Sequence, residues 1–209
     1  MSYKKYSLWN AVFIALFSVV GCQTAPKAVD SSANELQWES RLRIKDLEKN
    51  KTQSVSADVV ARKAAGEVRI EMSALAIPLA SYVMARDGFS CALYRQKVFY
   101  EGPLKDDALQ PLIRIPLSPV VFRQILFDQP ITGGDWICKQ GGEGLVESCT
   151  SRRRQMQVNW ERQPQNRTVR VTHPGFEIHW VFNHPSTEVQ FKENTFKLEA
   201  PRGFKVIRL

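Results

Sequence analysis

The chain has 209 residues, of which 44% are hydrophobic and 24% are charged. This length favours one domain over several and is sufficient to bury a sizeable core. Lysines and arginines number 29 against 21 aspartates and glutamates, for a net charge of +8. Such a surplus suits an acidic membrane surface or an acidic partner, without identifying either.

The N-terminus has the pattern of an export signal. Two lysines precede the apolar run 11–20, which is only about half of the ~20 residues that a membrane-spanning helix needs. The run ends in Val19-Val20-Gly21-Cys22, an order that resembles a bacterial lipobox. The resemblance implies a signal peptide over residues 1–21 and a lipid on Cys22; an ordinary signal peptide with a chance cysteine is the alternative. Nucleic acid is not an expected partner of an exported, lipid-anchored protein.

Beyond Cys22 the sequence predicts a short tether and then one folded domain. Residues 22–35 are mostly small or polar, which is typical of a tether. The domain is expected to occupy residues 36–209. A short helix is predicted to begin near Ser32, with Leu36 and Trp38 making its first apolar contacts.

After Trp38 the apolar residues recur with a period of two for most of the chain, which predicts antiparallel strands with one apolar and one polar face. Val68, Ile70 and Met72 are the clearest case. Further strands are expected after Trp136, and a last pair at Phe191 and residues 196–200 should close the sheet. The fold class is therefore mainly β with helices: about nine to eleven antiparallel strands in one strongly curved sheet.

A helix interrupts the strands. Ser118-Pro119 predicts its start, with serine as the N-cap and proline in the first turn. The next apolar residues fall on one helical stripe, and Pro130 ends the pattern. An earlier short helix is expected over residues 106–113. The helix from Pro119 to Asp128 is the predicted lid over the apolar face of the sheet, and the stripe consists of Val121, Phe122, Ile125 and Leu126.

The cysteines agree with export. Cys138 and Cys149 flank a glycine-rich bend, which predicts a disulfide across a hairpin in an oxidising compartment; a zinc site is the less supported alternative. Cys91 lies in an alternating segment and is expected to be a buried thiol in a strand.

Catalytic motifs are missing from the sequence. It has no Gly-x-Ser-x-Gly, phosphate-loop or His-Glu-x-x-His motif, so we expect no enzyme and no cofactor. The three histidines, His173, His179 and His184, are interpreted as surface residues rather than as metal ligands.

Two further segments have open interpretations. Arg152-Arg153-Arg154 could contact lipid phosphates or an acidic partner, or form a solvated strand end. Residues 73–78 link two amphipathic strands without a single charge. An apolar hairpin tip of this kind either folds back into the core or enters an apolar environment.

Three stretches together resemble the LolB family of outer-membrane lipoprotein receptors. The helical stretch Ile115–Leu126 with Gln129-Pro130 is the most specific of them. The other two are the strand–loop–strand Arg69–Leu79 and the closing segment from Val189 to Ile207.

The resemblance implies a half-barrel closed by helices around an apolar cavity. In that family the cavity takes the acyl chains of a lipoprotein from the carrier LolA and releases the lipoprotein into the outer membrane. A projecting loop there carries an exposed leucine, which by position is Leu75, so the expected membrane-insertion loop is Ala74, Leu75, Ala76 and Ile77. The tip departs from the family, which often has proline and glycine where Ala74 and Ala76 stand, and so does the Cys138–Cys149 hairpin.

The remaining expectations follow from the same resemblance. Gln23 is not the aspartate that retains lipoproteins at the inner membrane, so an anchor in the outer membrane, facing the periplasm, is expected. The protein is also expected to be a monomer. A structural lipoprotein or a small-lipid binder with the same fold is the alternative. The residues expected to line the acyl-chain cavity are Val68, Ile70, Met72, Phe122, Leu126, Trp160, Ile178, Trp180 and Phe182.

Overall fold

We describe a computed structural model of the chain that covers residues 33–86, 88–106, 108–109 and 117–209. Twelve strands form one sheet that curves strongly around an apolar interior. The strands are β1 (Glu35–Asp46), β2 (Lys51–Arg62), β3 (Glu67–Ala74), β4 (Ile77–Met84), β5 (Phe89–Leu93), β6 (Val98–Gly102), β7 (Trp136–Gln140), β8 (Val146–Ser151), β9 (Met156–Arg162), β10 (Asn166–His173), β11 (Phe176–Asn183) and β12 (Lys205–Arg208).

The sheet has β1 near its middle. The order is β12-β6-β5-β4-β3-β2-β1-β11-β10-β9-β8-β7. All neighbouring pairs are antiparallel except β12, which runs parallel to β6 and adds a strand to the predicted range. The predicted half-barrel with a helical lid is confirmed, because successive side chains of each strand alternate between a concave apolar face and a convex face.

The prediction of a helix beginning near Ser32 is wrong for the described residues, because Glu35–Asp46 forms strand β1. Leu36, Trp38 and Leu42 are buried, whereas Glu39 is exposed, so burial follows a period of two. The strand β1 pairs with β2 on one side and with β11 on the other. Hydrogen bonds to both neighbours therefore override a local helical tendency.

The lid helix is α1 (Pro119–Leu126). As predicted, Ser118 is the N-cap: its Oγ accepts a hydrogen bond from the Val121 backbone N–H at 3.3 Å. The helix ends two residues before the predicted Asp128, whose φ of +58° is not helical. Of the earlier short helix, residues 106, 108 and 109 lie in a turn and the remainder falls outside the described residues. The part of the chain that the structure describes has no helix long and apolar enough to cross a membrane.

Phe191 and residues 196–200 form no strand, so the prediction of a closing pair of strands there is wrong. Residues 187–204, which we call the strap, cross the convex face without joining the sheet. Phe191 and Phe196 bury their rings against the Arg62 guanidinium, which lies 5.6 and 5.1 Å from the two ring centroids. Arg69 donates to the Thr195 carbonyl oxygen at 3.0 Å. The aromatic residues of the strap are thus held by cation–π contact with Arg62 and by packing, rather than by strand pairing.

Candidate functional site

The space between α1 and the concave face is lined by apolar side chains. A cavity of about 20 Å³ lies there, which is room for about one water molecule. Phe122 of α1 and Trp180 of β11 both line this cavity, and their ring centroids lie 5.3 Å apart. The cavity is lined by Leu42, Ala57, Ile70, Met72, Leu117, Phe122, Ile125, Val171, Ile178 and Trp180.

The structure divides the nine predicted lining residues into two groups. All nine are buried. Five of them line the cavity, namely Ile70, Met72, Phe122, Ile178 and Trp180. The other four, Val68, Leu126, Trp160 and Phe182, are buried elsewhere in the core.

Five lining residues were missed by sequence reasoning. The signals were nevertheless present for most of them. Leu42 and Val171 share the apolar phase of their strands, and Ile125 belongs to the helical stripe. Ala57 also shares the apolar phase of its strand, whereas Leu117 comes just before the N-cap, where no periodic signal exists.

In the described part of the chain, three tryptophans of the core have indole N–H groups without acceptors. The indole N–H groups of Trp38, Trp160 and Trp180 are buried and have no hydrogen-bond acceptor among the described residues. A buried donor without a partner costs about 1–3 kcal/mol. Of these three tryptophans, Trp180 also lines the cavity.

The C-terminal end of α1 is fixed by buried charges. The Nε and Nη2 atoms of Arg162 donate to the carboxylate of Asp128 at 3.1 and 2.6 Å. Arg167 Nη1 lies 3.5 Å from the same carboxylate, and its Nη2 donates to the Leu126 carbonyl oxygen at 3.0 Å. Burial lowers the pKa of Arg167 and the negative Asp128 offsets part of that effect, so that the guanidinium stays charged at neutral pH.

The arginines also suit this position electrostatically. A helix carries partial negative charge at its C-terminus, where cations are favoured. Arg167 additionally lies 4.5 Å from the centroid of the Phe182 ring. These contacts tie the last turn of the lid to β9 and β10.

Contacts outside this cluster are fewer and weaker. Arg123 Nη1 donates to the Gly66 carbonyl oxygen at 3.3 Å, in the turn between β2 and β3. Gln124 Nε2 donates to the exposed Thr132 Oγ1 at 2.6 Å. The remaining hold on α1 is apolar packing of its inner face against the sheet.

The predicted insertion loop is the turn between β3 and β4. Ala74 and Ile77 form the last strand pair, so that Leu75 and Ala76 alone make the turn. Their φ angles are +49° and +63°, the left-handed region that side chains other than glycine disfavour. Leu75 is 96% exposed and Ile77 is 63% exposed. Of the two alternatives for this apolar tip, the structure shows the projecting one.

The cysteines lie near one edge of the sheet and in its core. Cys138 of β7 and Cys149 of β8 are direct strand partners and form a disulfide. The Cys91 thiol of β5 is buried, and burial raises its pKa to about 12. A thiol with such a pKa is protonated and unreactive at physiological pH.

The other candidate residues lie apart from the interior. Arg152, Arg153 and Arg154 form the exposed turn between β8 and β9 rather than a strand end. His173 stacks on Phe176 with centroids 4.6 Å apart. His184 contacts the Pro164 carbonyl oxygen through Nε2, and His179 lies on β11. Among the described residues no group of histidine, cysteine or acidic side chains is placed to hold a metal ion. Cys22, the predicted signal peptide and most of the predicted tether lie outside those residues.

Solved structures with the same arrangement of strands exist despite very low sequence identity. A LolA superfamily protein from Nitrosomonas europaea superposes with a TM-score of 0.51 at 9% identity, over 80% of this chain and 91% of that one. A domain described as an outer membrane lipoprotein-sorting protein, from Vibrio parahaemolyticus, gives 0.52 at 5% identity, over 80% and 91%. The chain shares the fold of these two structures.

A third structure extends this group. A DUF1329 family protein from Desulfovibrio piger superposes on this chain with a TM-score of 0.53 at 10% identity, over 79% of this chain and 90% of that one. The sequence itself matches no protein-family model and no curated protein. The shared fold is therefore recognised through backbone geometry, at sequence identities that say nothing about the ligand.

Proposed function

We propose that this protein is a lipid-anchored outer-membrane receptor that accepts lipoproteins from a periplasmic carrier and inserts them into the membrane, without catalysing a covalent reaction. The observation that carries the proposal is the cluster of buried apolar side chains on the concave face, which the two-turn helix α1 covers. An acyl chain leaves water because each exposed CH₂ costs about 0.8 kcal/mol. An apolar interior behind a removable lid provides the environment that such a chain requires.

Entry of an acyl chain requires α1 to move. The cavity of about 20 Å³ admits no more than a water molecule as it stands. Because the buried ion pairs hold the C-terminal end of α1, we propose that the helix swings about Asp128 and withdraws Phe122 from Trp180. The exposed concave face would then accept the acyl chains, and the unpaired indole N–H groups would donate to their ester or amide carbonyl oxygens.

The Leu75 turn supports the insertion step. A two-residue turn with both φ angles positive is normally built from asparagine and glycine. Here it holds an exposed leucine in a disfavoured conformation. We propose that the contact with the membrane interior offsets this cost during delivery. The lipobox-like sequence at Cys22 supports an anchor that keeps the turn beside the membrane.

A transfer assay tests the proposal. A carrier loaded with an acylated lipoprotein is mixed with vesicles bearing the purified protein, and insertion into the vesicles is measured over time. We expect Leu75→Glu to abolish insertion while circular dichroism and the unfolding midpoint stay unchanged. Leu209→Glu is the matched control, because Leu209 is also exposed but lies at the other end of the sheet, beside Glu101. Normal insertion by Leu75→Glu would refute the proposed role of the turn.

A structural lipoprotein is the second candidate, and the small size of the cavity favours it. If α1 permanently fills the interior, the protein binds no acyl chain. Mass spectrometry of the purified protein after incubation with a diacylated peptide distinguishes the two, because a bound acyl chain excludes a permanently filled interior. Depletion in cells gives a second test, since loss of a receptor leaves lipoproteins on their periplasmic carrier and loss of a structural component does not. Binding of phospholipid but not of acylated peptide would identify a small-lipid binder.

A further inference from the structure

Five hairpin turns lie at the same end of the sheet. In an antiparallel sheet every second hairpin turn falls at the same end. The strand registers therefore place the turns of β1–β2, β5–β6, β8–β9 and β10–β11 at the same end as the Leu75 turn of β3–β4. We call this edge the Leu75 rim. It consists of residues 47–50, 75–76, 94–97, 152–155 and 174–175.

The Leu75 rim is strongly basic. Its turns contain a single acidic residue, Glu48, and six basic ones, which are Lys49, Arg95, Lys97, Arg152, Arg153 and Arg154. The turns at the opposite end, 63–66, 85–88, 141–145 and 163–165, contain by sequence two basic residues and two acidic ones. Among the hairpin turns, the excess of positive charge therefore lies at the end that carries the exposed leucine.

Most of this charge remains available. Arg95, Lys97 and Arg152 have no ion-pair partner among the described residues. Lys49 and Arg154 do have partners, at 3.6 Å from Asp46 and 3.7 Å from Asp106, but both pairs are solvent-exposed. Exposed pairs of this kind contribute about 0–1 kcal/mol and are readily exchanged for other anions.

The apolar tip is flanked by these charges. The turn at Arg95 and Lys97 lies two strands away from Leu75 on one side, and the turn at Lys49 lies two strands away on the other. Two strand spacings are about 10 Å. The second of these turns also exposes Leu47. An apolar side chain that projects between cations matches a bilayer whose headgroups carry phosphate.

We infer that the Leu75 rim docks on a membrane surface that contains anionic phospholipids, with Leu75 in the apolar layer and the basic turns at the phosphates. The inference rests on the proposed function and specifies where and on which lipids delivery takes place. Each lysine or arginine near an anionic surface contributes about 1 kcal/mol. An acidic protein would require a surface complementary to an isolated projecting leucine, whereas a bilayer accepts it directly.

Fluorescence from the turn itself tests the inference. Ala76→Cys, labelled with an environment-sensitive dye, retains Leu75, and the buried Cys91 does not compete for the label. The purified full chain is reconstituted with vesicles of phosphatidylcholine alone or with 30% phosphatidylglycerol, so that any N-terminal anchor is the same in both. We expect a blue shift only with the anionic lipid, and we expect 0.5 M salt to reverse it.

Charge variants complete the test. Arg95→Gln with Lys97→Gln should weaken dye insertion roughly ten- to thirty-fold, the factor expected for two charges. Arg86→Gln with Lys139→Gln removes the same charge elsewhere and should leave insertion unchanged. Equal insertion in both kinds of vesicle, or no effect of the rim variant, would overturn the inference. Normal insertion with lost carrier-to-vesicle transfer would overturn it in favour of an acidic protein partner.

Dye insertion is measured without any lipoprotein. The protein could fail to bind or transfer acylated peptides while the dye still inserts selectively into anionic vesicles. That result would refute the proposed receptor function and support the docking of the Leu75 rim on anionic membranes.

Discussion

The ring of Phe122 on α1 and the ring of Trp180 on β11 lie 5.3 Å apart and are tilted by 34°. This contact joins the lid to the concave face at the centre of the interior. The same two residues line the small cavity, so their separation determines how much room a guest would find. The lid is thus part of the hydrophobic core in the closed state.

Truncation of the lid should therefore destabilise the fold. We expect Phe122→Ala to lower the free energy of unfolding by about 3–5 kcal/mol, the usual cost of removing a buried phenylalanine. Val120→Ala is the matched control, because Val120 lies on the outer face of α1 and is 49% exposed. Its effect should stay within about 0.5 kcal/mol. Urea unfolding of both variants measures the difference, and equal effects would show that α1 is not packed as described.

Leu75 and Ala76 should make the protein less stable than an asparagine–glycine turn at the same position would. Replacing Leu75 and Ala76 by asparagine and glycine provides the residues that a turn with two positive φ angles favours. We expect a gain of about 1 kcal/mol in unfolding free energy together with loss of lipoprotein insertion. Gln155→Gly, at a φ of +48° in another turn, should stabilise the protein without changing insertion. A double variant that is no more stable than the parent would contradict this account.

The buried ion cluster at the end of α1 should be sensitive to loss of its only acid. Asp128→Asn preserves the preference for positive φ but leaves Arg162 and Arg167 buried without a counter-charge. We expect a loss of about 3–5 kcal/mol, as for other buried pairs that lose one partner. Glu193→Gln removes the acid of an exposed pair with Lys197 and should cost less than about 1 kcal/mol. Thermal unfolding at neutral pH compares them, and a similar small loss in both would refute the anchoring role.

The Cys91 thiol should be chemically silent in the folded protein. Burial raises its pKa to about 12, so the reactive thiolate is scarce at pH 8 and would become abundant only near pH 12. In a Cys22→Ser variant we expect no reaction with Ellman's reagent at pH 8 until denaturant is added, when one thiol should appear. Two further thiols should react only after reduction, because Cys138 and Cys149 are joined. Rapid labelling of the native protein would show that the interior opens spontaneously.

Much of the fold can be predicted from local pattern. Val68, Ile70 and Met72 lie on the concave face because side chains alternate along any strand. The stripe of α1 and its Ser118 cap are likewise local, since they depend on residues three or four positions apart. The strap at Phe191 and Phe196 was predicted wrongly for a related reason. Its alternation resembles that of a strand, but Arg62 on the convex face provides burial without pairing.

The sequence by itself determined the phase of the strands and the amphipathic lid, because each is encoded by neighbours along the chain. Only the tertiary structure decided that Asp128 meets Arg162 and Arg167 and that the closed interior leaves room for no more than a water. It also decided that the turn at Leu75 shares one basic edge with four other turns. These relationships depend on strand order and on contacts between residues far apart in the chain. Local periodicity carries no information about them, since it specifies which face a side chain takes but not which distant residue it meets there.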